Sequence, residues 1–253
     1  RHMAADWNAK TSDPETRGLM KGFPPEPGLI VRQDEFGLSG NSFPNTRWSF
    51  SHQREMKATA NIRRGAGPAY VFPRKLRDDI DAITFTTQEG VKLSWAQSLD
   101  EMFTDGIVVL HRGAIVYETF RGALKPHLPH IAFSVTKSFV GLIAAMLAHE
   151  SALDPDAPVT LYVPDLAGTA YGDATVRHVM DMTIGVQYSE NYTDPNAEVR
   201  TYGIAAGYSP QPSGYTGPDT IFSFLRTLKK QGEHGQAFAY KTCNTEVLAW
   251  IVQ

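Results

Sequence analysis

The chain has 253 residues and 27.9 kDa, which fits one large domain or two intimate ones. Hydrophobic residues make up 42% and charged residues 20%, a balance that excludes global disorder. Twenty-four Lys and Arg against 27 Asp and Glu leave a net charge of −3 with no basic tract, so nucleic acid is not the expected partner. No apolar run reaches the roughly 18 residues of a membrane helix, and a soluble chain is expected. Cys243 is the only cysteine, which excludes an internal disulfide and a cysteine-rich zinc site. Met3 follows Arg-His, which reads as a cloning remnant. Ala4 to Lys21 is charged throughout and lacks the apolar centre of a signal peptide, so the expected location is cytoplasmic.

Residues 1–46 are rich in Pro, Gly, Asp and Asn without periodicity, and read as an irregular N-terminal arm over the surface. Trp48, Phe50, Met56 and Ile62 are scattered apolar anchors in a segment also expected to be irregular. The first regular signal is at 107–120, where two β-branched and aromatic runs flank His-Arg-Gly and predict a β-hairpin. From Lys137 the sequence is apolar almost all round until His149-Glu150, which predicts a helix buried in the protein centre. Val176, Val179 and Met180 share one face of a short helix within 175–182. Residues 219–230 read as a better helix, with Ile221, Phe222, Leu225 and Leu228 on one stripe.

Between these helices lies 188–217, dense in Tyr, Gly, Pro and Ser. Its composition predicts a long irregular loop that borders an active site, with Tyr188, Tyr192, Tyr202, Tyr208 and Tyr215 offered to a substrate. Asn244 can cap a last helix from Thr245, with Val247, Leu248 and Ile251 facing inward. That helix is unfinished at Gln253, so the chain is expected to be a fragment lacking the C-terminal third of its fold.

Ser134-Val-Thr-Lys137 is a Ser-x-x-Lys at the start of the most apolar helix. With 14 serines and 10 lysines, chance supplies about half a match in such a chain, so the motif alone is weak. Its setting is more informative. Residues three apart share a helical face, and both a helix N-terminus and an apolar surround favour the neutral amine that a general base needs. The alternative is a capping serine beside a lysine that snorkels to solvent. His127 and His130, separated by Leu-Pro, are better read as exposed than as metal ligands. His149, His178 and His234 lack the sequence neighbours of a Ser-His-Asp triad, and there is no Gly-x-Ser-x-Gly elbow. Asp165, Asp173 and Asp181 are too dispersed to pair, Asp78, Asp79 and Asp81 read as a solvated face, and Cys243 reads as packing.

The hairpin, the Ser-x-x-Lys helix, Thr-Val-Arg-His-Val-Met and then Met-Thr-Ile-Gly at 182–185 together resemble the β-lactamase-like serine hydrolases. Those include penicillin-binding proteins, class C β-lactamases and carboxylesterases. The likeness is greatest to the 6-aminohexanoate-dimer hydrolase branch. It runs from Asn45–His52 through Phe133–Ser138 and Asn191–Pro195 to Tyr240–Val252, the last block being the most specific. The resemblance implies an α/β fold, a mainly antiparallel sheet flanked by helices with an inserted helical region, in which the chain forms the N-terminal part over 47–253. It implies amide or ester hydrolysis with Ser134 as nucleophile, Lys137 as its base and Tyr240 as proton relay. Tyr192 would contact the nitrogen side of the scissile amide. No cofactor or metal is implied; the partner is a small-molecule amide or ester, with the rest of the same fold and a possible homodimer.

Asn244 stands four residues after Tyr240 where most of the superfamily has Tyr-x-Asn, and 182–185 replaces the commoner His-Thr-Ser-Gly; both features match the nylon-oligomer branch. A β-lactam-acting enzyme and a non-catalytic ligand-binding relative are the competing readings. A second oxyanion donor and the third motif of the superfamily are expected beyond Gln253.

Overall fold

A computed structural model describes residues 7–33 and 38–253. The chain divides into two compact units, Arg1–Ile131 and Ala132–Gln253.

The first unit opens with a one-turn helix, α1 (Pro14–Arg17). Asp13 caps it by accepting from the Glu15 and Thr16 amides. The short parallel strands β1 (Val31–Arg32) and β2 (Leu38–Ser39) and the turns α2 (Thr46–Ser49) and α3 (Gln53–Met56) follow. The arm expected over 1–46 lies in part outside the described residues. Where it is described, it is short on regular structure but not merely draped over a surface. Leu19, Val31, Trp48 and Ala123 form a small core. Buried Arg47 donates to Ala9 O and Ser12 Oγ on the arm and pairs with Asp105 just before the hairpin. Trp48 is buried as an anchor, whereas Ile62 is fully exposed in an extended stretch and anchors nothing.

Strands β3 (Thr84–Thr86) and β4 (Lys92–Ser94) pair antiparallel, and Ser94 caps α4 (Trp95–Glu101) through a reciprocal capping box with Gln97. The hairpin is present as β5 (Gly106–His111) and β6 (Ala114–Phe120), antiparallel, with Gly113 at φ +75° in the turn. Residues 73–77 run alongside β6, where Lys75 and Arg77 amides donate to Ile115 and Val116 carbonyls.

The second unit contains the main core. Helix α5 (Val135–His149) is the longest, followed by α6 (Val159–Tyr162), α7 (Val176–Met180), α8 (Glu198–Ala205), α9 (Ile221–Leu225) and α10 (Thr242–Ile251). Tyr171, Val176, Val179, Val186, Phe224, Leu225, Cys243 and Val247 are fully buried together.

Four expectations need correction here. Helix α5 forms where the pattern places it but is not buried all round. Ala144 is buried and Val140 and Leu147 pack on the core, while Val135, Phe139, Leu142, Ile143 and Met146 are exposed. An all-apolar helix says that every face suits burial; it does not say which faces this unit covers. The 219–230 helix stops at Leu225. The Leu228 carbonyl then accepts from Ala170 and Lys230 bridges Val186, so the chain has turned into extended pairing. The 188–217 segment holds α8, whose Val199, Tyr202 and Ala205 recur at three-residue spacing and turn one face inward. Asn244 does not cap the last helix: α10 begins at Thr242, and Asn244 is buried inside it, accepting from Tyr171 OH at 2.9 Å. Val247, Leu248 and Ile251 do face inward.

The Met-Thr-Ile-Gly segment has a structural purpose. Gln187 N–H donates to Lys229 O and Gln231 N–H to Gly185 O; Gly235 N–H donates to Thr183 O and Ala239 N–H to Met182 O. Residues 182–187 thus hold 229–239 by backbone contacts. At Gly185 the approach is so close that a Cβ would lie 2.5 Å from Gly232 O. Gly185→Ala should therefore destabilise the protein by about 1–3 kcal/mol, read as a lower urea midpoint. An unchanged midpoint would mean that this contact is slack.

Candidate active site

Ser134 occupies the N-cap position of α5, yet its side chain makes no capping hydrogen bond. The first turn is closed instead by backbone bonds from Val135 to Ala132, Thr136 to Phe133 and Lys137 to Ser134. This frees Oγ. It accepts from Lys137 Nζ at 3.2 Å, one helical turn on, and from Tyr240 OH at 2.7 Å. Lys137 Nζ also lies over the Tyr240 ring, 5.5 Å from its centroid. Ser134 and Tyr240 are exposed and Lys137 is half-buried, so the serine is open to a ligand from solvent. The capping-serine reading does not describe this geometry, since neither half of it is seen.

Tyr240 arrives at Ser134 on the segment held by 182–187. On its other side, Lys241 Nζ donates to Val186 O at 2.5 Å, and α10 begins. The N-terminus of α10 is tied to the Tyr192 loop by one carboxylate. Glu190 accepts from Thr242 N–H at 2.8 Å, from Thr242 Oγ at 2.5 Å and from Tyr192 OH at 2.8 Å. An anion at a helix N-terminus is favoured by the helix dipole as well as by these donors. Sequence reading missed Glu190. Its only signal was an acid two residues before the tyrosine of the Asn-Tyr-Thr-Asp-Pro block.

Tyr192 is exposed, and among the described residues no hydrogen bond joins it to Ser134, Lys137 or Tyr240. Partial burial and the neighbouring Glu190 carboxylate, with a smaller push from Tyr240, raise its phenol to about 12. The other loop tyrosines divide. Tyr188 and Tyr202 are buried, Tyr202 donating to Glu246 at 2.6 Å, and so cannot grip a substrate; Tyr208 and Tyr215 remain accessible.

Beneath the site, Cys243 is buried and its thiol is pushed up to about 12 by burial, as fits an inert packing residue. Burial likewise raises the Tyr171 phenol well above its ordinary value. His127 and His130 are exposed, and no group of three metal-ligating side chains occurs among the described residues. Among them, too, no helix is long and apolar enough to cross a membrane. His234 does have an acidic neighbour, Asp173, although its other nitrogen faces the Gly185 amide and not a hydroxyl.

A model of the Beta-lactamase family matches residues 95–253. The chain is 37% identical over 210 residues to the 6-aminohexanoate-dimer hydrolase of Paenarthrobacter ureafaciens, an alignment covering 83% of this chain and 51% of that protein. Among solved structures, a "Putative 6-aminohexanoate-dimer hydrolase from Bacillus anthracis" superposes with a TM-score of 0.77 at 29% identity, over 85% of this chain and 56% of that one. The chain spans about half the length of these relatives.

Glu190→Gln removes a negative charge that opposes phenolate formation, so the Tyr192 phenol should titrate at lower pH, nearer an ordinary tyrosine. Ultraviolet titration of the variant against wild type, with Tyr192→Phe to assign the signal, reads this directly. An unmoved titration would mean that Glu190 does not hold Tyr192.

Proposed function

Because the chain belongs to the Beta-lactamase family, we propose that it hydrolyses amide or ester bonds of small linear substrates through an acyl-enzyme on Ser134. The observation that carries this reading is the convergence of Lys137 Nζ and Tyr240 OH on Ser134 Oγ. In the proposed cycle Lys137, as the neutral amine, takes the Ser134 proton while Oγ bonds to the substrate carbonyl carbon. Tyr240 then gives its proton to the departing amine or alcohol and regains one from Lys137, and the carbon–leaving-group bond breaks. Water repeats the attack on the acyl-serine, the same two groups take its proton, and the acid product leaves with Oγ protonated again. The Ser134 N–H makes no backbone hydrogen bond among the described residues and is available to the oxyanion.

Amides resembling 6-aminohexanoate oligomers are the proposed substrate class. The likeness to the Paenarthrobacter hydrolase supports them, and the exposed phenol of Tyr192 is the loop side chain proposed to meet them. Tyr192 is proposed to meet the nitrogen side of the amide, held there by Glu190 and by Arg200, which donates to its carbonyl.

A fluorophosphonate probe should label wild type at Ser134 and leave Ser134→Ala unlabelled. Turnover should fall by about 10⁴-fold or more in Ser134→Ala and comparably in Lys137→Ala, the double variant being little worse than either. Additive losses would show independent roles, and absent labelling would favour a ligand-binding relative. Separately, Tyr192→Phe should slow amide hydrolysis more than p-nitrophenyl ester hydrolysis, because an amine needs more help to leave than an alcohol. Equal losses would remove Tyr192 from leaving-group chemistry.

A further inference from the structure

Tyr240 is delivered by residues 231–239, a strap held to 182–187 by backbone bonds and with few buried side chains of its own. Gln231, Glu233, Gln236, Ala237 and Phe238 are exposed, and Gly232 and Gly235 carry φ of +79° and +76°. Between those two pliable glycines stands His234, whose side chain is only 6% exposed. Its Nδ1 receives the Gly185 N–H at 3.0 Å, so that nitrogen carries no hydrogen. The hydrogen is therefore assigned to Nε2, which donates to Asp173 Oδ1 at 3.0 Å. Asp173 is in turn held by Lys230, at the point where the strap leaves its pairing with Val186. The imidazole thus joins three things: the strap, the amide of the glycine at the centre of the 182–187 ladder, and an anchored carboxylate. The His178 ring lies beside it, with centroids 5.6 Å apart and the planes tilted by 33°.

We infer that His234 is a positioning residue: through the acceptor Nδ1 it pins the strap to Gly185 and so sets where the Tyr240 hydroxyl stands relative to Ser134. The catalytic consequence rests on the proposed role of Tyr240; the mechanical one does not. The other attachments of the strap are backbone bonds at Gln231, Gly235 and Ala239 and the Glu233 carboxylate, 3.7 Å from Lys230 Nζ. Of the strap's side chains, His234 is the one bonded to the 182–187 backbone, which is the restraint assigned to it. A displacement of about 1 Å at a reacting group can cost about 10²-fold, so a small swing matters to the chemistry.

Two substitutions separate the two nitrogens. In His234→Asn the amide oxygen can take the place of Nδ1 and accept from Gly185, while the Asp173 contact is lost. In His234→Gln a donor can still reach Asp173, while the acceptor beside Gly185 is withdrawn. Hydrogen exchange followed by mass spectrometry on the full chain gives the first readout. Peptides covering 231–241 should exchange at least about tenfold faster in His234→Gln, near wild type in His234→Asn, with α10 unchanged in both. Steady-state kinetics gives the second. In His234→Gln, kcat should fall by about 10- to 100-fold with KM within about twofold, and His234→Asn should recover most of it.

Wild-type exchange and kcat in His234→Gln would overturn the inference. So would equal impairment in the two variants, which would mean that the acceptor is not what matters. Loss of α10 protection in either variant would make His234 a packing residue, also against the inference. If wild type resists the fluorophosphonate probe, the hydrolase reading fails while the exchange experiment still decides the role of His234.

Discussion

Two hydroxyls 106 positions apart in the chain stand 2.7 Å apart in space, and side chains alone cannot hold such a pair in register. What holds it is the backbone of 182–187. That segment accepts from or donates to 229–239 at four places and then takes the Lys241 ammonium on the Val186 carbonyl. The ladder closes only because Gly185 has no side chain where it meets Gly232. Remove that clearance and the path leading to Tyr240 must move. The donor set on Ser134 is thus an outcome of main-chain geometry well away from the hydroxyl itself.

The second half of the arrangement is the helix that carries Ser134 and Lys137. Its inward residues, Val140, Ala144 and Leu147, pack on the same core that receives Val247 and Leu248 of α10. Ser134 and Tyr240 therefore sit at the starts of two elements seated in one apolar mass, and a change in its volume reaches both. Glu190 extends the linkage outward, because a single carboxylate serves the first residue of α10 and the exposed phenol of Tyr192. Loop and helix are coupled by charge where the core couples helix to helix.

Much of this is legible in the sequence. The hairpin showed as β-branched runs around a glycine, α7 as Val176 and Val179 at helical spacing, and Ser134 with Lys137 as one turn of a helix. These are local signals, and local signals survive in sequence. What stayed hidden was set by partners distant along the chain. The 219–230 stripe is helical by period, yet Ala170 and Val186 claim the backbone after Leu225 for other bonds. Asn244 has the chemistry of a cap but is buried against Tyr171, 73 residues earlier. Glycines and prolines around α8 masked an inward face of Val199, Tyr202 and Ala205. His234 looked isolated because Asp173 is 61 residues away. A tyrosine in a loop reads as a grip whether it faces solvent, as Tyr192 does, or the core, as Tyr188 does.

One residue remains whose backbone is more informative than its side chain. Phe133 has φ of +43°, in the left-handed region that a β-carbon disfavours, immediately before Ser134. The chain therefore enters α5 through a tight bend at Phe133, and the N-cap residue that follows, Ser134, keeps its hydroxyl out of capping. Selection at position 133 should act on torsion before it acts on shape. Glycine or asparagine can occupy that torsion at little cost, whereas valine or isoleucine, equally apolar, would straighten the bend and turn the serine away. Tolerance at this site is thus expected to run against hydrophobic similarity, the reverse of the rule that governs the core a few residues further along the same helix.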